Sequence, residues 1–518
     1  MSDPTTDGTA GRPRLGPVFY VSLVLSVGFI AVGFAVPSRV ADALDAARRL
    51  VVGTFGPAYP ITVLVLLVFV AALAVTPFGR MRLGTADTRP EFGRLSWLAM
   101  LLSAGVGLSF LFWGTAEPLI HLADPPGGVA EPGSAEAAAA GVRYSFLFWG
   151  LHAWAIYAVV GIAVGYSSFR HGRKLLVSAA LRPLLGSRVD GPLGKVVDIL
   201  AVFAILFGVA TSLGLGTREL NAGLGHVLDV PESYGVKIAI IAGLMTVSTI
   251  SAMTGLGRGI RVLSLVNIAL CAVLLGFVLI LGPTADILGT LGTGLRDYVG
   301  SFVPMSLATE GAAGDTWTQE WIFFFWAWWI GWAPFVGTFI ARISRGRTIR
   351  SVVAGVVLVP TAVSVGWFSV FGGTALQREQ AGTVAVSDVA GNTKSVATVE
   401  VLGSLPGATV AFVLLVPVLA LLFITSADSA SFMLGSTTSG GSMKPPRPLR
   451  LMWSFAAAFA AVLLLGRGVT SLQGSAVVAA APFAVILIGL CVSLTLSLWR
   501  DRAAERAGRP VGGDPPDS

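Results

Sequence analysis

Four tryptophans, Trp326, Trp328, Trp329 and Trp332, fall within seven residues of one apolar stretch, FFFWAWWIGWAPFVGTFIARISRGRTIR (residues 323–350). A proline, Pro334, follows two residues later, and the stretch ends in the arginines Arg342, Arg345, Arg347 and Arg350. Trp328 and Trp332 share one helix face, with Trp329 beside them, about ten residues inside the arginine cluster. Interfacial tryptophans sit at headgroup level; these lie too deep for that. Trp97, Trp317, Trp321 and Trp499 suit the interfacial role instead. A second group, Trp149, Trp154 and Tyr157, stands in FWGLHAWAIYAVVG (148–161), and neither group contains a lysine or an acidic residue. Electron-rich ring faces without formal charge suit a quaternary ammonium, at about 0.5–2 kcal/mol per ring. Aromatic packing between helices accounts for any single ring, but less well for the clustering.

The elements that carry these rings are apolar. The chain is 54% hydrophobic and only 12% charged, where a soluble domain carries about a quarter charged residues. This composition predicts an all-α polytopic membrane protein. A hydrocarbon core takes about 20 apolar residues per helix, and twelve such spans are predicted: 17–36, 59–77, 95–114, 142–166, 195–216, 235–255, 260–282, 320–342, 351–373, 407–434, 451–466 and 475–498. The leader before the first span is long and of mixed charge, unlike a cleavable signal peptide. Most of the 35 basic residues fall in alternate connections, which predicts both termini in the cytoplasm. The chain then divides into a cytoplasmic tail (1–16), a transmembrane domain (17–499) and a short tail (500–518). Residues 284–306 suit an amphipathic surface helix, 378–402 read as a polar external loop, and the other connections read as simple loops.

Two spans carry helix breakers: SAGVGLS (103–109) in the third and WWIGWAP (328–334) in the eighth. Each opens a five-span unit, 95–282 or 320–498, and paired interruptions of this kind mark a midplane substrate site in inverted-repeat transporters. Close helix packing at Gly105 and Gly107 is the plainer alternative. No HExxH, GxSxG or Walker-type motif occurs, and Cys271 and Cys491 lie in apolar runs, so no enzyme is expected. His152 sits among the aromatics, where a structural hydrogen bond competes with proton coupling. Asp428 and Glu117 lie near span ends or breaks, where an intramembrane carboxylate is a functional candidate and helix capping or pairing with an inside arginine is the plainer role.

The stretches FWAWWIGWAPFVGTFIARISRGRTIR, WGLHAWAIYAVVG, FGVATSLGLG, WGTAEP and FITSADSAS resemble the signatures of the betaine/carnitine/choline transporter family. The resemblance covers essentially all twelve spans. It implies a LeuT-type fold, with inverted five-helix repeats after two leading helices (17–77), and a homotrimer. Trp149, Trp154, Tyr157 and Trp329 match the family's aromatic box, and Trp328 and Trp332 match rings along the substrate path. Ala104 and Ser109 on the interrupted third span are further substrate positions. Backbone carbonyls of Ser103, Val106 and Leu422, with the hydroxyls of Thr425 and Ser426, match a site for Na⁺ as coupling ion. Choline-binding members tend to place aspartate at the position of Ser109, so an uncharged residue there favours a zwitterion such as glycine betaine or carnitine. Ile205 and Val209 stand where other members have second-site threonines, so a two-sodium stoichiometry is not supported. Residues 500–518 do not match the long basic tail tied to osmotic activation in some members, so regulation by osmolality is not expected. The implied activity is sodium-coupled import of a zwitterionic quaternary-ammonium solute. Sodium-independent exchange or proton symport of carnitine, choline or a related solute is the alternative.

Overall fold

A computed structural model of the chain describes residues 15–107, 109–126, 129–254, 261–309, 316–384, 397–466 and 469–508. The architecture is helical throughout, and the only β-type pairing among these residues is a bridge between Arg82 and Thr348. Proline at the first turn opens α1 (Pro17–Ala35), α2 (Pro37–Phe55) and α8 (Pro192–Leu228), where its missing N–H costs nothing. The other principal helices are α3 (Ala58–Val75), α4 (Arg94–Gly105), α5 (Ser109–Ala123), α6 (Ala135–Trp149), α7 (Leu151–Arg170), α9 (Tyr234–Thr254), α10 (Arg261–Leu281), α11 (Thr284–Gly300), α12 (Phe324–Ile343), α13 (Ile349–Gln380), α14 (Ala408–Thr438), α15 (Arg447–Leu465) and α16 (Val469–Arg506).

Ten helical segments among the described residues are long and apolar enough to cross a membrane, and the bent pair α4–α5 makes an eleventh. The sixth expected span coincides with a shorter apolar helix, Tyr234–Ile250. The protein is therefore a polytopic membrane protein of α-helices.

Three sequence expectations change. Residues 37–55 are not a simple loop but α2, whose Asp45 pairs with Arg48 and Arg49 one turn on. It is too polar to cross a membrane and was invisible to a search for apolar runs. The segment 378–402 is helical at both ends, finishing α13 and starting a short helix at Ala397–Gly403, while 385–396 lie outside the described residues. Most consequential, α12 runs unbroken through Gly331 and Pro334. Proline removes one backbone hydrogen bond, and a helix packed on every side tolerates that loss. Its irregularity is a widened turn at Gln319–Phe323, before the tryptophans.

The interior centres on α7 and α12, which pack against each other along their lengths. Glycines allow the approach. A Cβ on Gly161 would lie 2.7 Å from the Ile340 side chain, and one on Gly337 would overlap Cβ of Val160. Small residues at membrane helix interfaces admit such backbone contact. Gly337→Ala is accordingly expected to cost about 1–3 kcal/mol through overpacking. The measurement is the thermal midpoint in detergent, and an unchanged midpoint would show that Val160 can give way.

Candidate functional site

The third span does break where the glycines predict. α4 ends at Gly105, Gly107 has φ +65°, and α5 departs at 57° to α4. The positive φ is the left-handed conformation that glycine adopts without strain. Gly105 also admits a neighbour, since a Cβ there would stand 2.6 Å from the Trp154 ring. Ala104 is buried on the last turn of α4. Ser109 begins α5, but its side chain lies outside the described residues.

A second interruption, which the sequence reading missed, falls in the fourth span. Gly150 leaves helical geometry at φ −99°, ψ −141°, separating α6 from α7. The last carbonyls of a helix have no partner within it, and here two indoles supply the donors. Trp329 Nε1 donates to the Phe148 carbonyl at 2.7 Å, and Trp154 Nε1 to the Trp149 carbonyl at 3.2 Å. The glycine hitch thus docks the indoles of two different helices on one short piece of backbone.

Those contacts assemble the expected box. Trp149 meets Trp329 edge to face at 4.9 Å between centroids, Tyr157 meets Trp329 at 5.9 Å, and Trp154 meets Tyr157 at 5.6 Å. Trp328 stacks on Trp329 at 5.3 Å, and Trp332 meets Trp328 edge-on at 6.4 Å. All six rings are buried. The N–H groups of Trp149, Trp154 and Trp329 are each taken by an acceptor on the box's own supports, so these rings offer π-faces more than polar edges. The N–H groups of Trp328 and Trp332 and the Tyr157 hydroxyl have no protein partner.

The box is not free of acidic groups. Trp149 Nε1 donates to Glu117 Oε2 at 2.7 Å, and Glu117 on α5 is fully buried. Of the roles expected for Glu117, the two structural ones do not hold: it neither caps a helix nor pairs with an arginine, but anchors a box indole. Asp428 does pair with an arginine, Arg450, at 2.7 Å. Phe110 and Phe368 also touch Trp149, at 5.5 and 5.6 Å, and a widened turn at Phe368–Gly372 belongs to this wall. His152 lies between Phe302 and Trp326, and neither ring nitrogen has a hydrogen-bond partner, so the expected structural hydrogen bond is absent. Of the tryptophans assigned to interfaces, Trp499 is exposed, whereas Trp97, Trp317 and Trp321 are buried against protein.

Beside the break, α4 packs on α14. Ser103 on α4 and Leu422, Thr425 and Ser426 on α14 are buried, and Val106 at the end of α4 is partly buried. Thr425 Oγ1 donates to the carbonyls of Leu421 and Leu422 at 2.8 and 3.2 Å. The hydroxyls of Ser103 and Ser426 make no hydrogen bond, although buried polar groups normally do. Unpartnered hydroxyl oxygens are the ligand type that a hard cation takes. On α8, Ile205 and Val209 are buried, and their side chains present no ligating atom.

A model of the family described as BCCT, betaine/carnitine/choline family transporter, matches residues 17–503. The chain belongs to the betaine/carnitine/choline transporter family. Similar members include the glycine betaine transporter OpuD of Bacillus subtilis (strain 168), 38% identical over 96% of this chain and 98% of that one. The ectoine/hydroxyectoine transporter of Virgibacillus pantothenticus is 39% identical over 95% and 98% respectively. The high-affinity choline transport protein of Escherichia coli (strain K12) is 37% identical over 97% of this chain and 76% of its own length. This betaine/carnitine/choline family member is a transporter, in keeping with the absence of catalytic motifs in its sequence.

Proposed function

We propose that the protein imports a zwitterionic quaternary-ammonium solute, glycine betaine first among candidates, by sodium symport with alternating access. The observation that carries this reading is the box itself: four buried rings from α6, α7 and α12, with their indole N–H groups turned to the supports. A trimethylammonium group is bound by such faces. Seating it requires the edge contacts between Trp149 and Trp329 to open, which fits a site loaded during a conformational cycle. The solute's carboxylate would face the broken third span, where freed backbone N–H groups attract anions. A glycine betaine transporter among the similar proteins supports the same choice. In this reading Na⁺ is held by carbonyls of Ser103, Val106 and Leu422 with the hydroxyls of Thr425 and Ser426. The protein crosses the membrane twelve times, in two inverted five-helix repeats, with both termini in the cytoplasm, and assembles as a homotrimer in the cell membrane.

A second reading, sodium-independent exchange or proton symport, draws on Ile205 and Val209, which remove one possible ion site. Uptake of labelled betaine into proteoliposomes, with sodium or potassium outside and unlabelled betaine, carnitine, choline or ectoine as competitors, separates the two. The expected result is uptake in sodium alone, with betaine the strongest competitor and choline weak. Equal uptake in potassium would transfer the case to the second reading, and ectoine as the strongest competitor would change the substrate.

A further inference from the structure

The basic end of the bundle carries contacts that the box and the ion site leave unexplained. α12 ends in Arg342, and the turn after it, 344–348, holds Arg347. The segment leading into α4 folds back on this turn. Arg342 grips Glu91 with both terminal nitrogens, at 2.7 and 3.1 Å. The Arg347 guanidinium stacks 4.0 Å from the Trp97 ring centre and donates to the Phe92 carbonyl at 2.9 Å. Trp97 Nε1 donates to Ser344 Oγ at 3.0 Å, and the ring rests on Gly355 of α13, where a Cβ would overlap it. A Cβ on Gly346 (φ +79°) would meet the Arg89 carbonyl at 2.5 Å, so the two segments touch at backbone distance.

Every one of these contacts joins α4, or the segment leading into it, to the end of α12 or the turn after it, with α13 backing Trp97. α4 carries Ser103, Ala104 and Gly105, the last of which abuts Trp154 of the box. α12 carries Trp328, Trp329 and Trp332. Separating the two helices at this end would uncover the break and the box from that side. The fastening is of a kind that can open: the ion pair is partly exposed and therefore weak, and the stack, though Arg347 and Trp97 are buried and so hold each other more firmly, is made by side chains that can change rotamer, unlike the glycine-lined seam of α7 and α12.

We propose that Arg342–Glu91 and Arg347–Trp97 form the cytoplasmic gate, whose release lets α4 move away from α12 and opens the box to the cell interior. The proposal rests on the transport reading, yet its test requires no substrate. In full-length protein carrying Cys271→Ser and Cys491→Ser, Ser103→Cys supplies a near-isosteric reporter, buried at 1% exposure. A membrane-impermeant maleimide is applied to everted and to right-side-out vesicles. Trp97→Ala, and separately Arg342→Glu, are expected to raise the labelling rate several-fold in everted vesicles alone. Adding Glu91→Arg to Arg342→Glu restores the pair with its charges exchanged and should return the rate towards that of the parent. Where Trp97→Ala does not fold, Arg342→Lys carries the test, since it keeps the charge, loses the two-pronged grip and should label at an intermediate rate. Unchanged labelling in monodisperse variants, no restoration in the exchanged pair, or an equal rise from the outer face would each overturn the gate. Gated labelling in a protein that takes up no betaine would instead leave the gate standing and remove the substrate.

Discussion

Replacing Trp329 with leucine is expected to raise the KM for glycine betaine uptake about tenfold or more, with the protein still folded and reconstituted. One lost cation–π contact accounts for about 0.5–2 kcal/mol, and about 1.4 kcal/mol is a factor of ten in affinity. The remainder comes from geometry. Trp329 is the ring that touches both Trp149 and Tyr157, so its loss removes a face and also the spacer between two others. Leucine likewise loses the donor to the Phe148 carbonyl, leaving the backbone at the Gly150 hitch unsatisfied. Trp329→Phe retains a face without that donor, and its KM should fall between those of leucine and wild type. Trp453→Phe provides the comparison for packing alone: this indole is fully buried and donates to Thr438. It should lower the thermal midpoint while leaving KM near wild type. Uptake by Trp329→Leu with an unaltered KM would take the box out of the mechanism.

The parts of this protein visible in its sequence are those written in runs of one residue type. Apolar stretches gave the spans, because a hydrocarbon core demands about 20 such residues, and the tryptophan clusters gave the box because indoles are rarely grouped so deep. Features that depend on a single residue were harder to see. Gly150 looks like any glycine in an apolar run, yet its hitch frees the two carbonyls on which Trp154 and Trp329 dock. Pro334 looks like a breaker, yet surrounding packing carries α12 through it. Glu117 lies 32 residues from Trp149, and no periodicity connects a carboxylate to an indole across two helices. The arginines after α12 were legible as orientation signals, but their grip on Glu91 and Trp97 arises from a fold-back some 250 residues long in sequence. Local pattern reports which solvent a segment meets. It does not report which distant partner a side chain finds.

Ser426→Ala is expected to abolish sodium-driven uptake while leaving the fold intact or slightly more stable, and the opposite signs make the result informative. A buried hydroxyl without a partner is a liability to the folded state, since desolvation is uncompensated. If Ser426 only filled space, alanine would be neutral in transport and would stabilise the fold slightly. If it holds Na⁺, the wild-type protein should gain stability with sodium, by about 2.7 kcal/mol at a hundred times the dissociation constant. The variant should lose that gain, and the readout is the thermal midpoint in sodium against potassium. Thr425→Val is the companion change. Its hydroxyl already bonds to the carbonyls of Leu421 and Leu422, so its removal should weaken sodium binding and also loosen the turn that presents the Leu422 carbonyl. Since the side chains of Ile205 and Val209 offer no oxygen, sodium should activate wild-type uptake with a Hill coefficient near one. A coefficient near two would require a second site built from other groups. A sodium-induced midpoint shift that survives Ser426→Ala would place the ion elsewhere, and the orphaned hydroxyls of Ser103 and Ser426 would then need another ligand.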